Sequence, residues 1–184
     1  MKFPKHAKKV FEGVIFDLYQ WPQKMFDGSI QTFEMAKRKD TVIIIASCKG
    51  KVVLLKQKQP NTDWFFCTPS GSMDIPGEKP KEAALRELRE ETGMVPEKLS
   101  LWKKVEKSGK VKSTIYIYTA QNCKVVGPQK LDVGEKITVQ YVSFDKYLNL
   151  SEHPSHHMQE SLNDMFMARL NKKFKARYKK AIFG

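Results

Sequence analysis

The sequence predicts a mixed α+β fold in which a β-sheet carries one central and one terminal helix. Three observations point there. Thr41-Val-Ile-Ile-Ile-Ala46 is a β-branched run suited to a strand buried on both faces. The charged stretch from Pro80 to Gly93 opens on a proline and closes on a glycine, the punctuation of a helix. From about Ser155 the chain reads as one long helix. There Met158, Leu162, Phe166, Leu170, Phe174 and Tyr178 recur every four positions, a stripe suited to core packing or a dimer contact.

The other elements follow in order. Val10–Tyr19 alternates loosely, Asp27-Gly28 signals a hairpin turn, and Thr32–Lys37 returns. After the Thr41–Ala46 strand, Lys49-Gly50 turns the chain into a further strand over Lys51–Lys56. Pro60–Pro76 reads as loop, with Trp64, Phe65 and Phe66 inside it. Beyond the central helix, strands are expected at Leu101–Glu106, Lys112–Ala120 and Ile137–Phe144. No internal repeat or long linker divides the chain. The expected organisation is an N-terminal β-element (1–40), a core (41–154) and a basic C-terminal helix (155–184).

Composition narrows the class. The 184 residues include 33 Lys and Arg against 20 Asp and Glu, a net charge of +13. With 41% hydrophobic residues the chain can bury a core, which excludes a disordered or collagen-like protein. The longest apolar run, Val42–Ala46, is far short of the ~20 residues of a membrane span. The basic start (Lys2, Lys5, Lys8, Lys9) leads into no apolar segment, so no signal peptide is expected. Three scattered cysteines, Cys48, Cys67 and Cys123, fit reduced thiols in a cytoplasmic protein. No acid follows Asp164, while Arg169, Lys172, Lys173, Lys175, Arg177, Lys179 and Lys180 do. That run suits either a solvated helix end or an electrostatic handle for nucleic acid, an anionic surface or an anionic substrate. His153, His156 and His157 lack a supporting ligand pattern, which favours a loop leading into the last helix over a zinc site.

The central helix carries the chemistry. At 100° per residue, Glu87, Glu90 and Glu91 fall within an arc of about 100°, while Ala84 and Leu88 form an adjacent face that can bury. Three crowded carboxylates require a counter-charge, and hard oxygen donors suit Mg²⁺ or Mn²⁺. Spacing alone equally allows an exposed helix laced with pairs such as Glu82 with Arg86.

Glu78, Arg86, Glu87, Leu88, Glu90, Glu91, Gly93 and Met94 decide between these. They stand at every fixed position but the first of G-x5-E-x7-R-E-U-x-E-E-x-G-U, where U is bulky and apolar. The stretch therefore resembles the Nudix hydrolase family. The resemblance implies an α/β/α sandwich around a Nudix-like mixed sheet. It also implies hydrolysis of a nucleoside diphosphate linked to another group, with Mg²⁺ (or Mn²⁺) as cofactor. Glu87, Glu90 and Glu91 would bind metal, and Arg86 would brace Glu78. Gly93 would be structural. The signature's first glycine falls on Ser72, so Gly71, one place early, is the expected backbone metal ligand.

Outside that box the chain resembles the ADP-ribose pyrophosphatase branch. Trp21–Glu34 with Arg38 resembles its small N-terminal β-element, which swaps across a homodimer and helps hold the adenosine end. Leu54-Leu-Lys-Gln57, Pro69-Ser-Gly71 with Asp74, and Leu131-Asp-Val-Gly-Glu135 also resemble segments of the branch. Trp21, Arg38 and Gln57 are thus expected at the substrate, although core or dimer packing also suits Trp21, Trp64 and Phe66. Glu135 is the expected general base, Asp132 its substitute, with Glu87 and Arg86 completing the catalytic group. Gln59 and Cys67 replace an arginine and a glutamate of the branch. The function implied is cleavage of ADP-ribose or a related nucleoside diphosphate sugar. The alternatives are nucleoside triphosphates, dinucleoside polyphosphates, or non-catalytic binding of nucleotide or RNA.

Overall fold

The computed structural model describes residues 3–107, 109–153, 155 and 159–184. Its elements run β1 (Lys8–Glu12), β2 (Phe16–Lys24), β3 (Ile30–Arg38), β4 (Thr41–Cys48), β5 (Lys51–Lys58), β6 (Phe65–Cys67) and β7 (Ser70–Ser72). Helix α1 (Pro80–Thr92) follows, then β8 (Met94–Val95), β9 (Lys98–Lys107), β10 (Val111–Gln121), β11 (Lys124–Val125) and β12 (Lys136–Val142). The chain closes with α2 (Phe144–Asn149), a 3₁₀ turn (Leu150–Glu152), α3 (Gln159–Leu170) and α4 (Lys172–Phe183).

The sheet runs β1-β2-β3-β10-β4-β5-β12, with β6 on β5, β7 on β4 and β9 on β10. Strands β3 and β4 both run parallel to β10, at Val111↔Ala36 and then Ile115↔Thr41. They form one bent line beside it. Asp40 lies at the bend, where its carboxylate accepts the Thr114 N–H at 2.8 Å. A backbone donor that the bend removes from the ladder is thereby satisfied.

The two faces of β4 explain the layers. Val42, Ile44, Ala46 and Cys48 pack with Ala83, Ala84 and Leu88 of α1, as the helical spacing predicts. Ile43 and Ile45 turn the other way, into a second core with Tyr147, Met165, Ala168, Tyr178 and Ile182 of α2, α3 and α4. Helices therefore cover both faces of a mixed sheet, the expected α/β/α arrangement. Among the described residues no helix is long and apolar enough to cross a membrane.

Four segments differ from expectation. Pro60–Pro76, expected to be loop, also contains β6 and β7, which pair with β5 and β4. Val10–Tyr19 is two strands, because the chain turns at Gly13, whose N–H donates to the Phe16 carbonyl. Phe144 opens α2 rather than ending a strand, since Ser143 caps the helix by accepting the Lys146 N–H. The terminal helix is two helices. Asn171 is extended and accepts the Phe174 N–H at 2.9 Å, so it ends one helix and caps the next. The break rotates the stripe: Tyr178 is fully buried, whereas Leu170 is 84% exposed and Phe166 also faces solvent. Met158 lies outside the described residues.

Candidate active site

Helix α1 is fixed at both ends by its own sequence. Pro80 occupies the first turn, and the Lys79 N–H donates to the Glu82 carboxylate at 2.9 Å. Glu82 is thereby turned away from Arg86, the partner that spacing alone allowed. At the other end Gly93 is left-handed (φ 69°), and a Cβ there would meet the Gly127 carbonyl oxygen at 2.1 Å. Only glycine suits that position, because it supplies both the conformation and the close approach.

That close approach carries the far wall of the site. The last carbonyls of a helix lack partners within it. Here the loop after β11 supplies them: the Lys130 N–H donates to the Glu90 carbonyl and the Val126 N–H to the Gly93 carbonyl, each at 2.8 Å. The Gln129 amide reaches the Glu91 carbonyl. A loop so anchored brings Asp132 and Glu135 opposite the acidic edge of α1. Between them lies a cleft of about 570 Å³, which Arg38, Gln57, Gly71, Arg86, Glu87, Glu90, Glu91 and Glu135 all line. Eight of the nine catalytic, metal-binding and substrate-binding residues expected from sequence thus share one cavity. The ninth, Trp21, is 5% exposed, packs on Phe3 and Phe33, and lines a separate groove with Pro22 and Ile30.

Arg86 is spent entirely within the protein. Its Nε and one Nη2 bond grip Glu78 at 2.9 and 3.0 Å, and Nη1 reaches Glu87 at 2.7 Å and Glu90 at 3.0 Å. Nη2 also donates to the Ser72 carbonyl at 3.2 Å. These contacts use all five guanidinium donors, leaving none for a substrate. The geometry is that of a brace between the loop and α1. Gly71 lies directly against Glu87: a Cβ there would fall 2.0–2.3 Å from its carboxyl atoms.

The carboxylates are poorly compensated. Burial pushes Glu87 up to about 7 in spite of Arg86, and the charges of Glu90 and Asp74 add to the rise. Glu91, 4% exposed, accepts the Ser70 N–H at 2.8 Å, yet burial holds it well above the usual carboxylate range. Burial first, then Asp132, raises Glu135 as well. Among the described residues, no three His, Cys, Asp or Glu side chains already converge on one point. The donor set is nevertheless hard oxygen with more negative than positive charge, which fits Mg²⁺ or Mn²⁺ held by Glu87, Glu90 and Glu91 beside Gly71.

A larger cavity, about 740 Å³, lies elsewhere, lined by Cys48, Lys49, Lys51, Asn122, Cys123, Lys124, Val125 and Tyr141. It contains no carboxylate, whereas the smaller cleft gathers the acidic edge of α1, Asp132 and Glu135. His153 sits edge-on to Phe66, and His156 and His157 lie outside the described residues. Sequence reasoning did not anticipate Lys130, which reaches the cleft only through loop packing. Nor did it anticipate the Ser70 N–H on Glu91, a backbone contact that no residue type announces.

The chain is similar in fold and in sequence to known proteins. A crystal structure of an ADP compounds hydrolase matches with a TM-score of 0.75 at 20% identity, over 94% of this chain and 95% of that one, a likeness of fold. An ADP-ribose pyrophosphatase of Bacillus subtilis (strain 168) is 29% identical over 149 residues, covering 79% of this chain and 80% of that protein. A NUDIX domain model matches residues 36–161, which include β4, all of α1 and the loop bearing Glu135. With its acidic helix, brace and facing loop inside that match, the chain belongs to the Nudix family of phosphoanhydride hydrolases.

Proposed function

We propose that the protein is a Mg²⁺-dependent hydrolase of ADP-ribose or a related nucleoside diphosphate sugar, releasing a nucleoside monophosphate and a sugar phosphate. One observation carries this reading: the acidic edge of α1, with Glu91 buried and Glu87 and Glu90 half-buried, faces Glu135 across a cleft whose lining also includes Arg38 and Lys130. Such a cleft can hold a diphosphate between metal-binding carboxylates and cations. The similarity to the Bacillus subtilis ADP-ribose pyrophosphatase supports the choice of substrate.

The chain's own residues supply the rest. Bound metal would neutralise diphosphate oxygens and lower the pKa of a water. Glu135, or Asp132 in its place, takes that water's proton. The water oxygen bonds to one phosphorus as the bridging oxygen departs with the other phosphate. Arg86 keeps Glu78, Glu87 and Glu90 in place, and Arg38 and Lys130 attract the anionic substrate.

We place Trp21 at the substrate only through a homodimer, since it lies outside its own chain's cleft. Exposed Val10, Phe11, Val14, Ile15, Phe26 and Ile30 on and between the first three strands support such an association. The three free, buried cysteines accord with a cytoplasmic setting.

The test is hydrolysis by purified protein with Mg²⁺ across ADP-ribose, other nucleoside diphosphate sugars, dinucleoside polyphosphates and nucleoside triphosphates, beside Glu91→Gln. Preferential cleavage of ADP-ribose, abolished in the variant, is expected. Turnover of triphosphates or dinucleoside polyphosphates instead would move the substrate. Silence across the panel would favour a binding module that uses the basic face of α4.

A further inference from the structure

Gln57 is a buried amide at a position where the strand is otherwise apolar. Val53 and Leu55, which alternate with it along β5, are fully buried, and Gln57 itself is 5% exposed. Strand β5 pairs with β6 on one side and β12 on the other. The register puts Cys67 opposite Leu55 and Ile137 opposite Gln57. Cys67 and Glu135 are therefore diagonal neighbours of Gln57 from opposite sides, within reach of a long side chain. Both contacts are made: Cys67 Sγ lies 3.1 Å from Gln57 Oε1, and Gln57 Nε2 lies 3.2 Å from Glu135 Oε1.

The chemistry of the three groups permits one arrangement. An ionised carboxylate only accepts, so the Gln57 NH₂ must face Glu135. The amide oxygen then faces Cys67, which must donate its S–H. Burial, and after it the charges of Glu91 and Glu135, keep that thiol protonated and able to do so. A flipped amide would set its oxygen against the carboxylate and its NH₂ against a thiol proton. Gln59 gives Glu135 a second hydrogen bond but comes from the loop end of the strand. Gln57 ties Glu135 to the sheet interior.

We propose that Cys67 is a positioning residue for hydrolysis: by donating to Gln57 it fixes the amide whose NH₂ holds Glu135 toward the cleft. This rests on the reading of Glu135 as the base. In this scheme the Gln57 amide is engaged by Glu135 and Cys67 rather than by the substrate, the role expected from sequence, and neither residue touches the reacting atoms. They determine how often the carboxylate stands where a water can reach it. A thiol thus serves as a structural donor, and its poor reactivity is an asset.

The experiment is a double-mutant cycle on ADP-ribose hydrolysis with Mg²⁺, using Cys67→Val, Cys67→Ser, Gln57→Leu and the Cys67→Val/Gln57→Leu pair. Valine removes the donor at the cost of a slightly larger side chain, whereas serine restores a donor. Losing one such hydrogen bond should lower kcat by about three- to tenfold, with KM little changed. Serine should return kcat to within about twofold of the parent. With Gln57 already replaced, Cys67→Val should cost nothing more, because it has no amide left to orient. Additive losses, or a loss confined to KM or to melting temperature, would overturn the proposal. Glu135→Gln separates it from the reading beneath: full activity there removes the base assignment, whereas an inactive variant with an additive cycle removes only the relay. A second readout needs no turnover. The Gln57 side-chain NH₂ resonances should be exchange-protected in the parent and lose protection in Cys67→Val; unprotected resonances in the parent would also overturn the relay.

Discussion

The two walls of the cleft are built in opposite ways. One is a single helix with the loop before it: Glu78, Arg86, Glu87, Glu90 and Glu91 lie within one short stretch, and one arginine braces three of those carboxylates. The other is gathered from β5, β6 and the loop before β12, and hydrogen bonds between distant segments hold it. The first wall is rigid because its backbone is a helix. The second is positioned only as well as its contacts are satisfied. A carboxylate that binds a cation suits the first, and one that must meet a moving proton suits the second.

Substitutions can break this contrast, and the largest effect belongs to the gathered wall. Glu135→Gln should lower kcat by about 10²–10⁴-fold, the range of general-base catalysis, while Mg²⁺ affinity changes little. Isothermal titration with Mg²⁺ beside steady-state rates would check this. On the helical wall, Glu87→Gln should cost more than about 100-fold in kcat/KM, since even outer-sphere partners of metal ligands cost 10–100-fold. The same change should raise the melting temperature of metal-free protein, because it removes a charge that is costly to bury. A fall in melting temperature would mean that the link to Arg86 outweighs desolvation.

Gly71→Ala probes where the walls come closest to the sheet. The added methyl would displace the Glu87 carboxylate, the end of a flexible side chain, rather than the backbone. Activity should fall about tenfold or more, by the measure of misplaced ligands, with little change in the melting curve. The smallest effect is on stability against pH. Glu87 is raised from 4.5 to about 7, and Glu91 and Glu135 are raised too, so the folded chain binds more protons than the unfolded one across that interval. The contribution of these three groups to the stability of metal-free protein should be fully present below the unfolded carboxylate pKa and be lost as the pH rises through about 7. A melting temperature that falls by a few degrees from about pH 6 to about pH 8, and a flatter profile with Mg²⁺, are expected in scanning calorimetry. An upward slope would show Arg86 to be the dominant influence on these groups.

The same contrast decides what the sequence reveals. Helix α1 was legible nearly to the residue, since its proline, its terminal glycine and its carboxylate spacing are all local. Strand β4 was legible because burial on both faces writes a continuous apolar run. The carboxylates of the acidic edge, and Arg86, followed from spacing and a signature. Gln57 and Glu135 could be named from resemblance, but their bond could not, for it depends on the register of β5 with β12. The break at Asn171 was hidden because the four-residue recurrence passes through it. A capping asparagine costs a helix interior little enough to look ordinary there. The turn at Gly13 was lost inside a loosely alternating run for the same reason: a single residue redirected the chain.

The central place of β10 has a consequence for how the chain is made. Strands β3 and β4 pair with it in parallel across roughly seventy residues of sequence, a separation that delays their joining. At ~5–20 residues per second, the β-branched edge of β4 waits on the order of ten seconds for its partner to leave the ribosome. Until then Val42–Ala46 has β5 and β7 on one side only, and its other edge is an unpaired, apolar one of the kind that captures other chains. The period of greatest vulnerability to aggregation therefore falls during synthesis, and it closes when residue 121 completes the sheet's middle strand.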